Sequence, residues 1–109
     1  MIIVDTSVWV ASLRRPNSLE AREVQSLLRN KAVLMLGIIM GELLQGAPNE
    51  KEVAVLKDTL DGPAYVEVSK DMWQEAGFLS FRLRRQGKGV PFADALIATL
   101  ALQGNHQVY

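Results

Sequence analysis

The sequence predicts an α/β protein with a mostly parallel sheet and helices on both of its faces. Short apolar or β-branched runs, at Ile2–Val4, Ala32–Leu36, Tyr65–Val68 and His106–Tyr109, alternate with stretches whose apolar residues recur at helical spacing. The first run, Ile2-Ile3-Val4, is unbroken, as a strand covered on both faces should be. Strands separated by helices pair in parallel and bring their carboxyl ends to one edge, where ligands of open α/β sheets bind.

Each element has its own warrant. Asp5 ends the first strand, and Ser7 to Arg15 then reads as a short helix with Val8, Trp9, Ala11 and Leu13 apolar, broken by Pro16-Asn17. Ser18 is placed to cap a second helix, Leu19 to Asn30, with Leu19, Val24, Leu27 and Leu28 facing inward and Lys31 closing it. Ala32 to Leu36 is apolar enough for a buried strand, although periodicity alone also allows a helix there. After Gly37, the residues Ile39, Met40, Leu43 and Leu44 fall at helical spacing up to Gly46-Ala47-Pro48. Asn49 is placed to cap Glu50 to Leu60, whose Val53, Leu56 and Leu60 share a face, and Asp61-Gly62-Pro63 turns the chain. Tyr65 to Val68 alternates as a strand does. Ser69 then caps a long helix with Met72, Trp73, Ala76, Leu79, Ser80 and Leu83 inward and a basic end. A glycine-bearing loop, Gln86 to Val90, leads to Pro91 and a helix with Ala93, Leu96, Ile97, Leu100 and Ala101 as its stripe, ended by Gly104.

Composition narrows the function classes. A chain of 109 residues makes one domain, and twelve basic against twelve acidic residues leave no net charge, so attraction to a polyanion must come from local clusters. The chain has no cysteine, hence no disulfide framework or thiolate metal site. No apolar run approaches the ~20 residues of a membrane span, and the N-terminus does not read as a signal peptide, which predicts a cytoplasmic chain.

Three acids stand out. Asp5 lies at the carboxyl end of the first strand, although Asp5, Thr6 and Ser7 are also residue types that cap a helix. Glu42 is the only charge between Lys31 and Glu50 and is expected on the rim of an apolar helix, where a buried acid needs a partner, unless it escapes to solvent or meets an arginine. Asp94 falls in the first turn of the last helix, where an acid also complements the helix dipole. If the three converge at one sheet edge, their mutual repulsion, about 4 kcal/mol per pair at ~4 Å and an effective dielectric of ~20, calls for a cation. Oxygen ligands without Cys, and with one His, select hard ions such as Mg²⁺ or Mn²⁺ over zinc.

The stretches IIVDTSVWV around Asp5, GELLQG around Glu42 and PFADALIATLAL around Asp94 resemble the three acidic motifs of PIN-domain ribonucleases, in order and approximate spacing. The small size resembles the VapC-type toxins of toxin–antitoxin pairs. The resemblance covers nearly the whole chain. It implies a three-layer α/β/α sandwich, Mg²⁺- or Mn²⁺-dependent endonucleolytic cleavage of RNA with Asp5, Glu42 and Asp94 as catalytic and metal-binding acids, support of the first acid by the hydroxyl of Thr6 or Ser7, and an antitoxin partner that blocks the site. A homodimer is a further expectation. The family's fourth acid usually follows the last core strand by a few residues, and no residue up to Tyr109 matches it, so residues 1–109 read as a single PIN-like domain without the usual C-terminal end.

The alternatives are a catalytically impaired PIN-like module that acts by binding RNA or an antitoxin, and a receiver-like regulatory domain. The latter is disfavoured because one acid alone closes the first strand. Arg82, Arg84, Arg85 and Lys88, like Arg14 and Arg15, are candidates to track an RNA backbone, although cations near a helix end also complement its dipole. Trp9, Trp73 and Phe81 are expected in helix packing, and His106 is expected to be structural or exposed.

Overall fold

The computed structural model describes residues 1–109. Its elements run β1 (Ile2–Ile3), α1 (Thr6–Arg14), α2 (Leu19–Arg29), β2 (Val33–Leu36), α3 (Gly37–Gln45), α4 (Glu50–Leu60), β3 (Ala64–Val66), α5 (Lys70–Arg85), α6 (Phe92–Gly104) and β4 (Gln107–Val108). They divide into two compact units, Met1–Val66 with Tyr109, and Glu67–Val108. No helix is long and apolar enough to cross a membrane.

The first unit holds a parallel sheet in the order β3-β2-β1. Ile2 and Ile3 pair with Val33 and Leu34, and Leu34, Met35 and Leu36 pair with Ala64, Tyr65 and Val66. All of Val33–Leu36 is buried, so the second apolar run is a strand, and it is the centre of the core. Tyr109 continues the ladder beyond β1: its N–H donates to the Ile3 carbonyl at 2.9 Å and its own carbonyl accepts from the Asp5 N–H at 3.1 Å, the slanted pattern of a parallel pair. Ile3, Val4, Trp9, Ala21, Val24, Ile39, Leu43 and Leu60 complete this core. Trp9 is 2% exposed. A cavity left by truncating so large a side chain costs about 3–5 kcal/mol.

β2 passes into α3 without a loop. A Cβ on Gly37 would meet the Tyr65 hydroxyl at 2.7 Å, the far end of an exposed side chain that can move aside. β3 is shorter than the alternation of Tyr65–Val68 suggests and exposes Ala64 and Tyr65, as an edge does.

The second unit is built on α5 packed against α6. α6 is apolar nearly all round, and Ala95, Leu96, Ile97, Thr99 and Leu100 are buried, a wider stripe than spacing suggests. The Thr99 hydroxyl is satisfied within the helix, donating to the Ala95 carbonyl at 2.8 Å. α5 buries Ala76 alone, with Met72, Leu79, Ser80 and Leu83 half-buried beside it.

The helix starts follow the expected caps. Ser18, Asn49 and Ser69 accept from the backbone N–H groups of Ala21, Glu52 and Met72 at 3.1, 2.9 and 3.2 Å. The helix ends share one reverse turn that sequence spacing reveals only in part. Gly87 at φ 73° closes α5, with its N–H on the Arg84 carbonyl and the Lys88 N–H on the Leu83 carbonyl. Lys31 at φ 52° does the same for α2, and Asn105 at φ 55° does it for α6, one residue after the expected Gly104.

Candidate active site

Asp5 is the residue where β1 gives way to α1. It occupies the position before the helix, and the Val8 and Trp9 N–H groups bond to its backbone carbonyl. Its side chain makes no capping hydrogen bond. Instead, Asp5 Oδ2 accepts from the Ser7 hydroxyl at 2.8 Å. The capping account of Asp5 therefore fails, and the carboxylate is kept half-buried at the carboxyl end of a buried strand.

Glu42 stands on the second turn of α3, the helix that leaves the carboxyl end of the neighbouring strand β2. It is exposed rather than buried, because α3 turns Gly41, Glu42, Gln45 and Gly46 to solvent while Ile39 and Leu43 enter the core. Its Oε1 accepts from the Thr6 hydroxyl at 3.2 Å. Consecutive hydroxyls thus hold one oxygen of each of two carboxylates, Ser7 that of Asp5 and Thr6 that of Glu42. Such hydroxyls fix the rotamers of acids that must point at a ligand, and each leaves the second carboxylate oxygen free of the bond it makes. Beside Glu42 lies a groove of about 440 Å³ between α1, α3 and α4, lined mainly by apolar side chains such as Val10, Leu13, Leu43 and Leu56.

Asp94 belongs to the second unit. It is exposed in the first turn of α6, with its N–H on the Pro91 carbonyl at 3.0 Å. The protein's acids and its histidine do not form, by themselves, a ready group of three or more around a metal position. His106 is half-buried, and its Nδ1 is buried without a hydrogen-bond partner.

A model of the PIN domain matches residues 2–108. The chain belongs to the PIN-domain family. Within it, the protein is similar to the VapC ribonuclease Mb1587 of Mycobacterium bovis, 33% identical over 107 residues that span 94% of this chain and 80% of the relative. Ribonuclease VapC11 of Mycobacterium tuberculosis matches at the same identity and coverage. These relatives make it a PIN-domain protein of the VapC type. Among solved structures, VapBC2 from Rickettsia felis bound to a DNA fragment from their promoter shares the fold with a TM-score of 0.79 at 20% identity, covering 99% of this chain and 85% of that one. FitAcB from Neisseria gonorrhoeae aligns with a TM-score of 0.62 at 23% identity and the same coverage. The α/β architecture with a parallel sheet, expected from the alternation of strands and helices, and its PIN-like form, implied by the resemblance, are thereby shown.

One aromatic assignment is corrected, that of Phe81, and Trp73 packs on the neighbouring helix only at its margin. Trp9 packs inside as expected, but Trp73 and Phe81 are each 44% exposed. α5 meets α6 through the stripe of Ala76, Met72 and Leu79; Trp73 lies about a quarter-turn to its side, whereas Phe81 lies on nearly the opposite face. Trp73 stacks on Phe92, with ring centroids 6.2 Å apart and planes 8° from parallel. Phe78, which helical spacing does not single out, is 56% exposed. The signal that could have found it was its position three residues before Phe81 at the start of a basic run.

Proposed function

We propose that this PIN-domain protein is a divalent-metal-dependent endoribonuclease and the toxin of a type II toxin–antitoxin pair. One observation carries the reading: at the carboxyl end of β1, in a chain 33% identical to proteins named ribonucleases, the carboxylates of Asp5 and Glu42 are each oriented by a hydroxyl donor.

The residues fit a hard cation. The donors are carboxylate and hydroxyl oxygens, no cysteine is present, and the one histidine has its Nδ1 buried. As the PIN-family resemblance implies, Asp5, Glu42 and Asp94 are the residues that would hold Mg²⁺ or Mn²⁺, which when bound supplies an activated water and neutralises charge on the phosphate undergoing attack. Ser7 keeps Asp5 from rotating toward the α1 backbone, where it would act as a cap. Thr6 holds Glu42, whose second oxygen is then placed to orient the attacking water. Cleavage leaves a 3′-hydroxyl and a 5′-phosphate. The antitoxin occupies the apolar groove between α1, α3 and α4, where a bound segment reaches Glu42 itself.

The test is cleavage of a single-stranded RNA by purified protein with Mn²⁺ and with chelator. Asp5→Asn and Asp94→Asn should each lower the rate by about a hundredfold or more, since a misplaced or missing ligand removes both charge stabilisation and alignment. Each should also abolish the rise in melting temperature on adding Mn²⁺, while leaving the metal-free melting temperature unchanged or higher because like charges are removed. A protein that binds RNA but never cleaves it would instead be a binding module.

A further inference from the structure

Resting on the ribonuclease reading, we propose that the outer face of the C-terminal half of α5 is a platform for single-stranded RNA, with bases on Phe78 and Phe81 and phosphates on Arg82, Arg84, Arg85 and Lys88. Phe78 and Phe81 are 56% and 44% exposed, and their rings stack on each other with centroids 6.3 Å apart and planes 25° from parallel. The Arg82 guanidinium lies over Phe78, 4.8 Å from its centroid, and those of Arg84 and Arg85 lie 5.8 and 5.9 Å from the centroid of Phe81.

Helix packing does not account for this arrangement. The packed stripe of α5 runs through Ala76, so the two phenylalanines contribute little to the core of their unit. The dipole of α5 explains a cation or two in the last turn, but not exposed aromatic rings beneath them. The charge pattern is one-sided: no acid occurs between Glu75 and Asp94, in a chain whose net charge is zero. Aromatic faces interleaved with cations are the chemistry that grips single-stranded nucleic acid, by stacking the bases and tracking the backbone. A second copy of the chain fits less well, because a symmetric contact sets this face against itself and opposes arginine to arginine.

The experiment measures binding of a fluorescently labelled oligouridylate by the full-length protein in chelator, by anisotropy across a salt series. Phe78→Leu with Phe81→Leu keeps apolar bulk and removes both rings, and should weaken binding about tenfold or more with the salt slope unchanged. Arg82→Gln, Arg84→Gln and Arg85→Gln together should flatten the slope, by about 0.7 for each phosphate that is no longer neutralised. Unchanged affinity in the leucine variant overturns the platform, and so does a wild-type protein that binds no RNA. If the leucine variant keeps its RNA affinity and loses mass in sedimentation, the face is a contact between copies and the proposal is equally overturned. Cleavage with Mn²⁺ is read separately. A wild type that binds through the phenylalanines without cutting leaves the platform standing and removes the catalytic reading, whereas one that cuts while the leucine variant binds normally removes only the platform.

Discussion

The two units treat their exceptional side chains in opposite ways. In the first, Asp5 at the end of β1 and the exposed Glu42 on α3 are each oriented by a hydroxyl. In the second, Phe78 and Phe81 stand in solvent with only each other and the arginines as company. A group that takes part in bond breaking gains from one fixed orientation, because misplacement by a fraction of an ångström costs rate. Groups that collect a flexible chain gain from exposure, since stacking tolerates many arrangements. The tryptophans divide along the same line, Trp9 at 2% and Trp73 at 44% exposure.

That contrast is sharpest in stability. Trp9→Ala should destabilise the fold by about 3–5 kcal/mol through the cavity it leaves. Trp73→Ala, which gives up the stacking on Phe92 and little burial, should cost about 1 kcal/mol. Chemical denaturation of both variants measures the difference, and equal losses would mean that Trp73 is as much a core residue as Trp9.

The next largest effect separates orientation from folding. Ser7→Ala removes the donor to Asp5 from an exposed position where alanine suits a helix, so the melting temperature should hardly move. RNA cleavage and Mn²⁺ affinity should fall about tenfold, as they do when a ligand loses its supporting hydrogen bond. A matched fall in stability would return Ser7 to an ordinary helix-start role.

A smaller gain is stored in a helix end. Lys31 adopts φ 52°, a region that costs an L-residue about 1–2 kcal/mol and glycine almost nothing. Part of that returns as unfolded-state entropy, so Lys31→Gly should stabilise the protein by about 0.5–1 kcal/mol in thermal or denaturant unfolding. No change would place the compensation in the packing of the lysine stem.

What the sequence made legible follows the physics of each signal. Buried strands, helix caps and the order of elements rest on local pattern, so Val33–Leu36, Ser18, Asn49 and Ser69 appear where the residues suggest. The place of Asp5 at the end of the first strand was legible because an acid ending an unbroken β-branched run is a local anomaly. Its release from capping was not, since the choice between Ser7 and the backbone depends on a rotamer. Glu42 reads as a rim acid in need of a partner, but an apolar helix with glycines on one side can turn its single charge outward. The exposure of Trp73 was illegible because helical spacing gives the stripe but not its width, and α5 buries little more than Ala76; that of Phe81 was legible, since the spacing sets it nearly opposite the stripe. The left-handed closures at Lys31 and Asn105 carry no glycine to announce them.

The smallest expected effect tests how firmly Tyr109 is seated at the edge of the sheet. Its phenol is raised above the usual value near 10, first by desolvation against the first unit and then by the charges of Glu23 and Glu20. A phenol raised in the folded state lends stability that is fully present below the unfolded value, and that stability is lost as pH rises through the folded value. In a Tyr65→Phe background only Tyr109 titrates, so ultraviolet difference absorbance should give a midpoint above that of free tyrosine. Glu20→Gln with Glu23→Gln should lower the midpoint only in part, because desolvation, the larger cause, persists while the Ile3 and Asp5 backbone bonds hold the residue in place. A midpoint equal to that of free tyrosine would mean that the Tyr109 ring turns into water away from Glu20 and Glu23, even while its backbone stays paired with Ile3 and Asp5.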